Sequence, residues 1–374
     1  MTKKNRGNSP TELTKMKLIA ASGGRCQFRG CNEKLFIESL TNEELNHSNI
    51  AHIVASSPNG PRGSDKSHEL SNNLENLMLL CREHHKLVDD YPEKYPSELL
   101  ISMKKEQEEN VSRLLDGMYF PKSEIVILES KIKNKIDVKV NLNSAIEANR
   151  NDGYNHGGDY GINIFIESRA DYKSEEYWIN VKKDLIGNIE YSINNLYSRN
   201  PDIILSVFPL APIPLVILFG FLLNDKKKII IHQKYRNPDS WNWKENKLTN
   251  NFTIQDQKIK DGDNIAIILS LTAKVNVNRI LDVFDASTIY TITAENIGVD
   301  SIASAQDLEE FWKVYLNLLD TIVNSKKVNE VALFPAIPVS AAFEIGHHYM
   351  HKVYPTINIY DECDGFFKTI SIGG

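Results

Sequence analysis

A chain of 374 residues is long enough for two or three domains, each with its own buried core. With 41% hydrophobic and 25% charged residues and a formal net charge of -6, it has the balance of a soluble globular protein, and any surface that faces nucleic acid must be local. Three of the 4 cysteines fall in a candidate metal site, which is the cysteine usage of a reducing, cytoplasmic compartment.

Residues 1–10 are polar and rich in Lys, Asn and Ser, with no apolar segment behind their charges, so the stretch reads as disordered and no signal peptide is expected. Thr11 to Ala21 has helical periodicity and leads through SGGRC to Cys26, which pairs with Cys31 in CQFRGC. His52 follows in NIAHIV, flanked by Ile50, Ala51, Ile53 and Val54 as in a strand. After the Gly-rich SSPNGPRG comes ENLMLLCREHHK: Asn76 to Leu80 reads as a short buried strand, and Cys81, His84 and His85 fall on the first turn of a helix. Cys81 and His84 supply one thiolate and one imidazole, and Cys26 and Cys31 supply the other pair that a tetrahedral structural zinc needs. Adjacent His on a helix are more often exposed or hydrogen-bonded than ligands, and it is the Cys framework that reverses this reading. His85 is left over as a candidate for chemistry.

The ordered set of Cys26, Cys31, His52, Asn76, Cys81, His84 and His85 resembles the HNH endonuclease family over about residues 13–116. The resemblance implies a ββα-metal nuclease acting on double-stranded DNA. His52 would be the general base, Asn76 would hold the loop behind it, and His85 would bind a catalytic divalent cation such as magnesium. Many members carry Asp just before the first His, where this chain has Ala51; the Asn49 amide or water would have to substitute. Arg62, Lys66, Arg82 and Lys86 are the expected phosphate contacts. A zinc-stapled module that binds DNA without cutting it is the alternative.

Ser97 to Met118 is an amphipathic helix, expected to leave this domain (residues 1–118) as a connector. Residues 119–159 read as a linker, with an alternating strand from Ile132 to Val140 and the polar stretch NRNDGYNHGGDYG. From residue 160 the chain repeats. INIFIE (162–167) and NIAIIL (264–269) are matched as buried strands, each followed by a long helix, Glu175 to Tyr197 and Asp307 to Val323. DIILSVFPLAPIPLVILFGFLL and NEVALFPAIPVSAAFEIGHHYM then align at Phe208-Pro209 and Phe334-Pro335, ending at KKKIIIHQ and YPTINIYD. The uncharged run from Ile203 to Leu223 imitates a membrane span, but Pro209, Pro212 and Pro214 make it a strand, a turn and a helix from about Pro214. Two α/β halves, about 160–260 and 261–374, would face each other with pseudo-two-fold symmetry and hold a ligand at the carboxyl ends of their strands.

The segment FPAIPVSAAFEIG after VNEVAL resembles the SAVED domain, a pair of fused CARF-like Rossmann units, over about residues 160–374. An HNH domain joined to it looks like the HNH-SAVED effectors of bacterial cyclic-oligonucleotide-based antiphage signalling (CBASS). That resemblance implies a cyclic di- or trinucleotide activator, a homo-oligomer that assembles further on binding it, and no membrane. Loops after the strands place Ser168, Arg169, Leu210, Ala211, Leu271, Thr272, Ala336 and Ile337 near the ligand, and YRNPDSWNW adds Tyr235, Arg236, Trp241 and Trp243. A Trp two residues from another, as Trp241 and Trp243 stand, is more often a strand or hairpin packing pair than a ligand contact. His347, His348 and His351 are expected on an exposed helix face or at an interface, with no metal, and Cys363 as a small buried hydrophobe. From another functional class comes the reading of a nucleotide-responsive DNA-binding regulator with a vestigial HNH fold.

Overall fold

The computed structural model describes residues 7–37, 43–158, 161–325 and 328–373. The chain divides into two compact units at Tyr119 and Phe120. Residues 1–6 of the stretch expected to be disordered lie outside the described residues, and Gly7 is tied down, its N–H donating to Ser56 O at 2.8 Å.

In the first unit Thr11 caps α1 (Glu12–Ser22) by accepting from Thr14 N, and left-handed Gly23 ends it. β1 (Ser48–His52) is followed by the short α2 (Ser67–Leu70) and then by β2 (Leu77–Cys81), which pairs antiparallel with β1 and sets His52 opposite Leu77 and Ser48 opposite Cys81. All five β2 residues are buried, because α1 and α3 (Arg82–Asp90) both pack on the strand. The order β1, β2, α3 is the expected ββα. The connector expectation is corrected: α4 (Ser97–Asp116) folds back on its own unit. It buries Leu100 and Met103, Gln107 Nε2 donates to Ser22 O at 2.9 Å, and Arg29 pairs with Glu106 at 2.7 Å.

The second unit begins inside the presumed linker, a second correction. Residues 119–159 hold β3 (Lys122–Ser130), α5 (Leu142–Asn151) and β4 (Asn155–His156). The alternation from Ile132 to Val140 is not a strand. Lys133 and Asn134 turn the chain with φ of 53° and 55°, and the apolar residues line a cavity wall instead of a sheet face. Among the described residues β5 (Ile162–Ile166) pairs with β3 alone, so it exposes Asn163 and Phe165 where full burial was expected. α6 (Glu175–Asn188), a π turn and α7 (Asn195–Arg199) lead to β6 (Ile204–Leu210), α8 (Ile213–Leu223) and β7 (Ile229–Ile231). β5, β3, β6 and β7 form one parallel sheet in that order.

After the small hairpin β8 (Tyr235–Arg236) and β9 (Asp239–Ser240) come β10 (Phe252–Lys258), β11 (Ile265–Ser270), α9 (Val277–Leu281), β12 (Thr288–Ala294) and α10 (Ala305–Ser325). β13 (Glu330–Ala336), α11 (Val339–His347), β14 (Thr356–Glu362) and β15 (Phe366–Ile372) complete the unit. The sheet order is β10-β12-β11-β13-β14-β15, with β10 and β15 antiparallel at the edges. Its parallel centre, β12-β11-β13-β14, repeats the order of β5-β3-β6-β7. NIAIIL (β11) therefore corresponds to β3, and INIFIE (β5) corresponds to β12, so the sequence match of those two strands was out by one.

The offset that aligns Phe208-Pro209 with Phe334-Pro335 also carries Gly220 onto Gly346. α8 and α11 cross at this pair. A Cβ on Gly220 would lie 2.2 Å from Phe343 O, and one on Gly346 would lie 1.9 Å from Ile217 O, a reciprocal contact only glycine permits. α8 has 11 residues, and among the described residues no helix is long and apolar enough to cross a membrane.

Candidate metal centre and ligand cavity

The loop CQFRGC is docked on β2 by Gln27, whose N–H donates to Leu79 O at 2.8 Å while its Oε1 accepts from Leu79 N at 2.7 Å. This brings Cys26 beside Cys81, the residue that caps α3, and His84 comes back one turn onto both. Cys81 Sγ lies 3.0 Å and Cys26 Sγ 3.8 Å from His84 Nδ1, and the donor atoms of Cys26, Cys31, Cys81 and His84 all lie within 4.8 Å of one another. A tetrahedral zinc with ordinary bond lengths needs donors roughly 3.5–3.8 Å apart, so the set fits that ion. Phe28 stacks on the His84 ring at 4.1 Å and fixes its plane. Burial pushes the Cys26 thiol up to about 12, against the Cys81 N–H that favours thiolate, so ionising this buried cluster calls for a cation.

His52 closes β1. Its Nε2 sits 3.0 Å from Ser71 O, and since a carbonyl only accepts, that nitrogen carries the hydrogen and the lone pair resides on Nδ1. Asn76 holds the loop that leaves His52: Val54 N donates to its Oδ1 at 2.8 Å, and its Nδ2 donates to Val54 O at 2.9 Å and Leu70 O at 3.2 Å. His85, on α3 packed against β1, is half-buried with Nε2 3.6 Å from Asp89 Oδ2. Arg62 is not a free phosphate contact. Its side chain is 5% exposed and donates to Ile53 O at 2.7 Å and to Asp89 Oδ1 at 3.0 Å, which ties the loop to α3. Lys66, Arg82 and Lys86 are exposed. Ala51 is buried in the core and offers no ligand.

In the second unit a cavity of about 510 Å³ opens where the carboxyl ends of strands from both sheets converge. Leu210, Ala211, Arg236, Thr272 and Ile337 line it as expected. The other expected ligand residues do not. Tyr235 is buried and donates to Ile302 O at 3.0 Å; Trp241 is buried edge-to-face on Phe208; Trp243 packs on the main core. Ala336 lends its carbonyl to Leu271 N and Thr272 N, Ser168 and Leu271 are buried, and exposed Arg169 is not part of the lining.

Sequence reasoning missed Lys133, Tyr172, Gln233, Lys234 and Asp361 in the lining. Gln233 and Asp361 are the last residues of KKKIIIHQ and YPTINIYD, so the rule about strand ends points to both. Gln233 Oε1 accepts from Ser340 N at 3.1 Å and Ser340 Oγ at 2.7 Å, capping α11. Asp361 accepts from the Tyr172 hydroxyl, and burial raises its carboxyl despite that bond. Both α8 and α11 start at the cavity behind Pro212 and Pro338, which give no side-chain cap, so two positive helix ends meet there with Lys133, Lys234 and Arg236.

Residues 192–372 match the family model of the SMODS-associated and fused to various effectors sensor domain, SAVED, so the second unit carries a SAVED sensor domain. The match starts in the helical stretch before β6 and leaves out β3 and β5. No curated protein matches the chain. Among solved structures, the Acinetobacter baumannii Cap4 SAVED/CARF-domain containing receptor with the cyclic trinucleotide 3'3'3'-cAAA is similar at 14% identity and a TM-score of 0.46, covering 83% of this chain and 67% of that one. The Moraxella osloensis Cap4 SAVED/CARF-domain containing receptor is similar at 13% identity and a TM-score of 0.41, covering 78% and 60%.

Proposed function

We propose that the chain is a cytoplasmic, cyclic-oligonucleotide-activated endonuclease that hydrolyses double-stranded DNA in CBASS antiphage defence. The observation that carries the nuclease reading is Asn76: one side chain makes three hydrogen bonds to the backbone of the loop behind His52, on a ββα unit whose helix bears His85. His52 Nδ1 takes a proton from the attacking water while Ser71 O holds the ring. A divalent cation such as magnesium, held at His85, would offset the charge that grows on the scissile phosphate and the leaving oxygen. Cys26, Cys31, Cys81 and His84 would hold a structural zinc that stands in for a large core.

The activator is a cyclic di- or trinucleotide in the cavity of the SAVED unit. Lys133, Lys234 and Arg236 would face its phosphates, and homo-oligomers would assemble further once it is bound. Titration of the full chain with a panel of such nucleotides tests this reading. One of them should bind, and Arg236→Ala should weaken it at least tenfold; binding to none refutes the sensor assignment. A second reading, a DNA-binding regulator with a non-cleaving HNH fold, is favoured by Ala51, which leaves the usual second carboxylate ligand absent from β1.

A further inference from the structure

Helix α11 ends in Glu344, His347 and His348, with one donor atom from each within 4.8 Å of the other two. Of the three histidines expected on an exposed helix face or at an interface, His351 is exposed and His348 half-exposed, but His347 is buried. His347 is 7% exposed, and neither of its ring nitrogens has a hydrogen-bond partner; the Lys227 backbone is close enough to be felt without making a bond of ordinary geometry. A buried imidazole left this way costs free energy unless something completes it. Glu344, with its side chain 15% exposed, makes one ion pair, to His348 Nε2 at 2.8 Å. Trp312 lies 4.9 Å from the His348 ring and limits its motion. Asp225, on the loop after α8, bears electrostatically on both imidazoles.

We propose that Glu344, His347 and His348 form a binding site for a transition metal of the zinc class, at the ends of α8 and α11 away from the ligand cavity. Two imidazoles and a carboxylate are the donor types such ions take, and their donor atoms lie close enough together for one ion to reach all three. The carbonyl end of α11 adds a negative dipole that favours a cation. The equivalents of the three ligands in α8 are Leu218, Phe221 and Leu222, so the first half lacks the site.

Untagged full-length protein, dialysed against zinc and counted by mass spectrometry, tests the site. Wild type should hold one equivalent more than Glu344→Gln or His348→Ala, a half-exposed position whose loss spares the core. Cobalt loading separates this site from the cysteine cluster. The two variants should lose a band without thiolate charge transfer and keep the thiolate bands, whereas Cys81→Ser should do the reverse. Zinc should also raise the melting temperature of the second unit in wild type and not in Glu344→Gln. Equal metal counts in wild type and both variants would overturn the proposal.

Discussion

Cys26 and Cys81 are each half of a contact that only a cation completes, so Cys81→Ser should lose zinc and melt the first unit while leaving the second folded. Metal analysis together with two-transition calorimetry reads both outcomes, and folded wild type without zinc would refute the ligand set. His52→Ala should keep zinc and fold yet slow cleavage by roughly two to four orders of magnitude. His85→Ala should match it in rate, with partial rescue by excess manganese; His84→Ala should behave like the cysteine variants. A different pair of groups carries a pH effect. Burial holds buried His232 down at about 3 and raises Asp152, 3.4 Å away, to about 6, so both are neutral near pH 5 although they are placed as an ion pair. The depressed His contributes stability that is complete above its unfolded value near 6.5 and is lost as pH falls towards 3. The raised Asp contributes stability that is complete below about 3.9 and is lost as pH rises towards 6. The slopes oppose each other between pH 4 and 6. Asp152→Asn should therefore expose a loss of about 1 kcal/mol per pH unit on acidification, read from denaturant midpoints; an unchanged pH profile would contradict the raised carboxyl of Asp152.

At the scale of elements, the crossing of α8 and α11 makes a sharp contrast. Gly346→Ala drives a methyl into Ile217 O and should cost about 1–3 kcal/mol, whereas Gly187→Ala, in α6 with nothing within 4 Å of the added carbon, should gain about 0.5–1 kcal/mol. Chemical denaturation of both variants measures the difference. That α8 and α11 are equivalent elements of a repeat was legible because the Phe-Pro turns before them recur at one offset; their crossing was not, since nothing in the glycines alone says that two helices meet there. The metal cluster was legible because Cys81 and His84 are spaced by a single helical turn. β3 was not, since its KSEIVILES mixes charges into a strand buried on both faces, with Ser123 and Glu129 buried among the apolar residues. Missing it moved the first half of the repeat from residue 122 to 160. Tyr235, Trp241 and Trp243 misled for a related reason: aromatics in a polar insert look free, and composition does not reveal that they turn inward onto Phe208 and the main core.

The whole molecule joins a ββα unit with a zinc-type cluster to a SAVED sensor domain whose cavity is lined by Lys133, Lys234 and Arg236 together with Asp300 and Asp361, and the account requires that the second control the first. The nucleotide must then bind the active assembly more tightly than the resting chain, since equal affinity for both would shift nothing. Ending the chain after Met118 should leave a zinc-bound fragment that binds no cyclic nucleotide and cuts poorly. If that fragment cuts as fast as activated full-length protein, the sensor acts by restraint and assembly is not the switch. The most direct measurement incubates the purified full chain with duplex DNA, magnesium and a panel of cyclic di- and trinucleotides, and follows fragment length. The account predicts cutting with one messenger and none without it, abolished by His52→Ala. DNA binding without cleavage under every condition would contradict it.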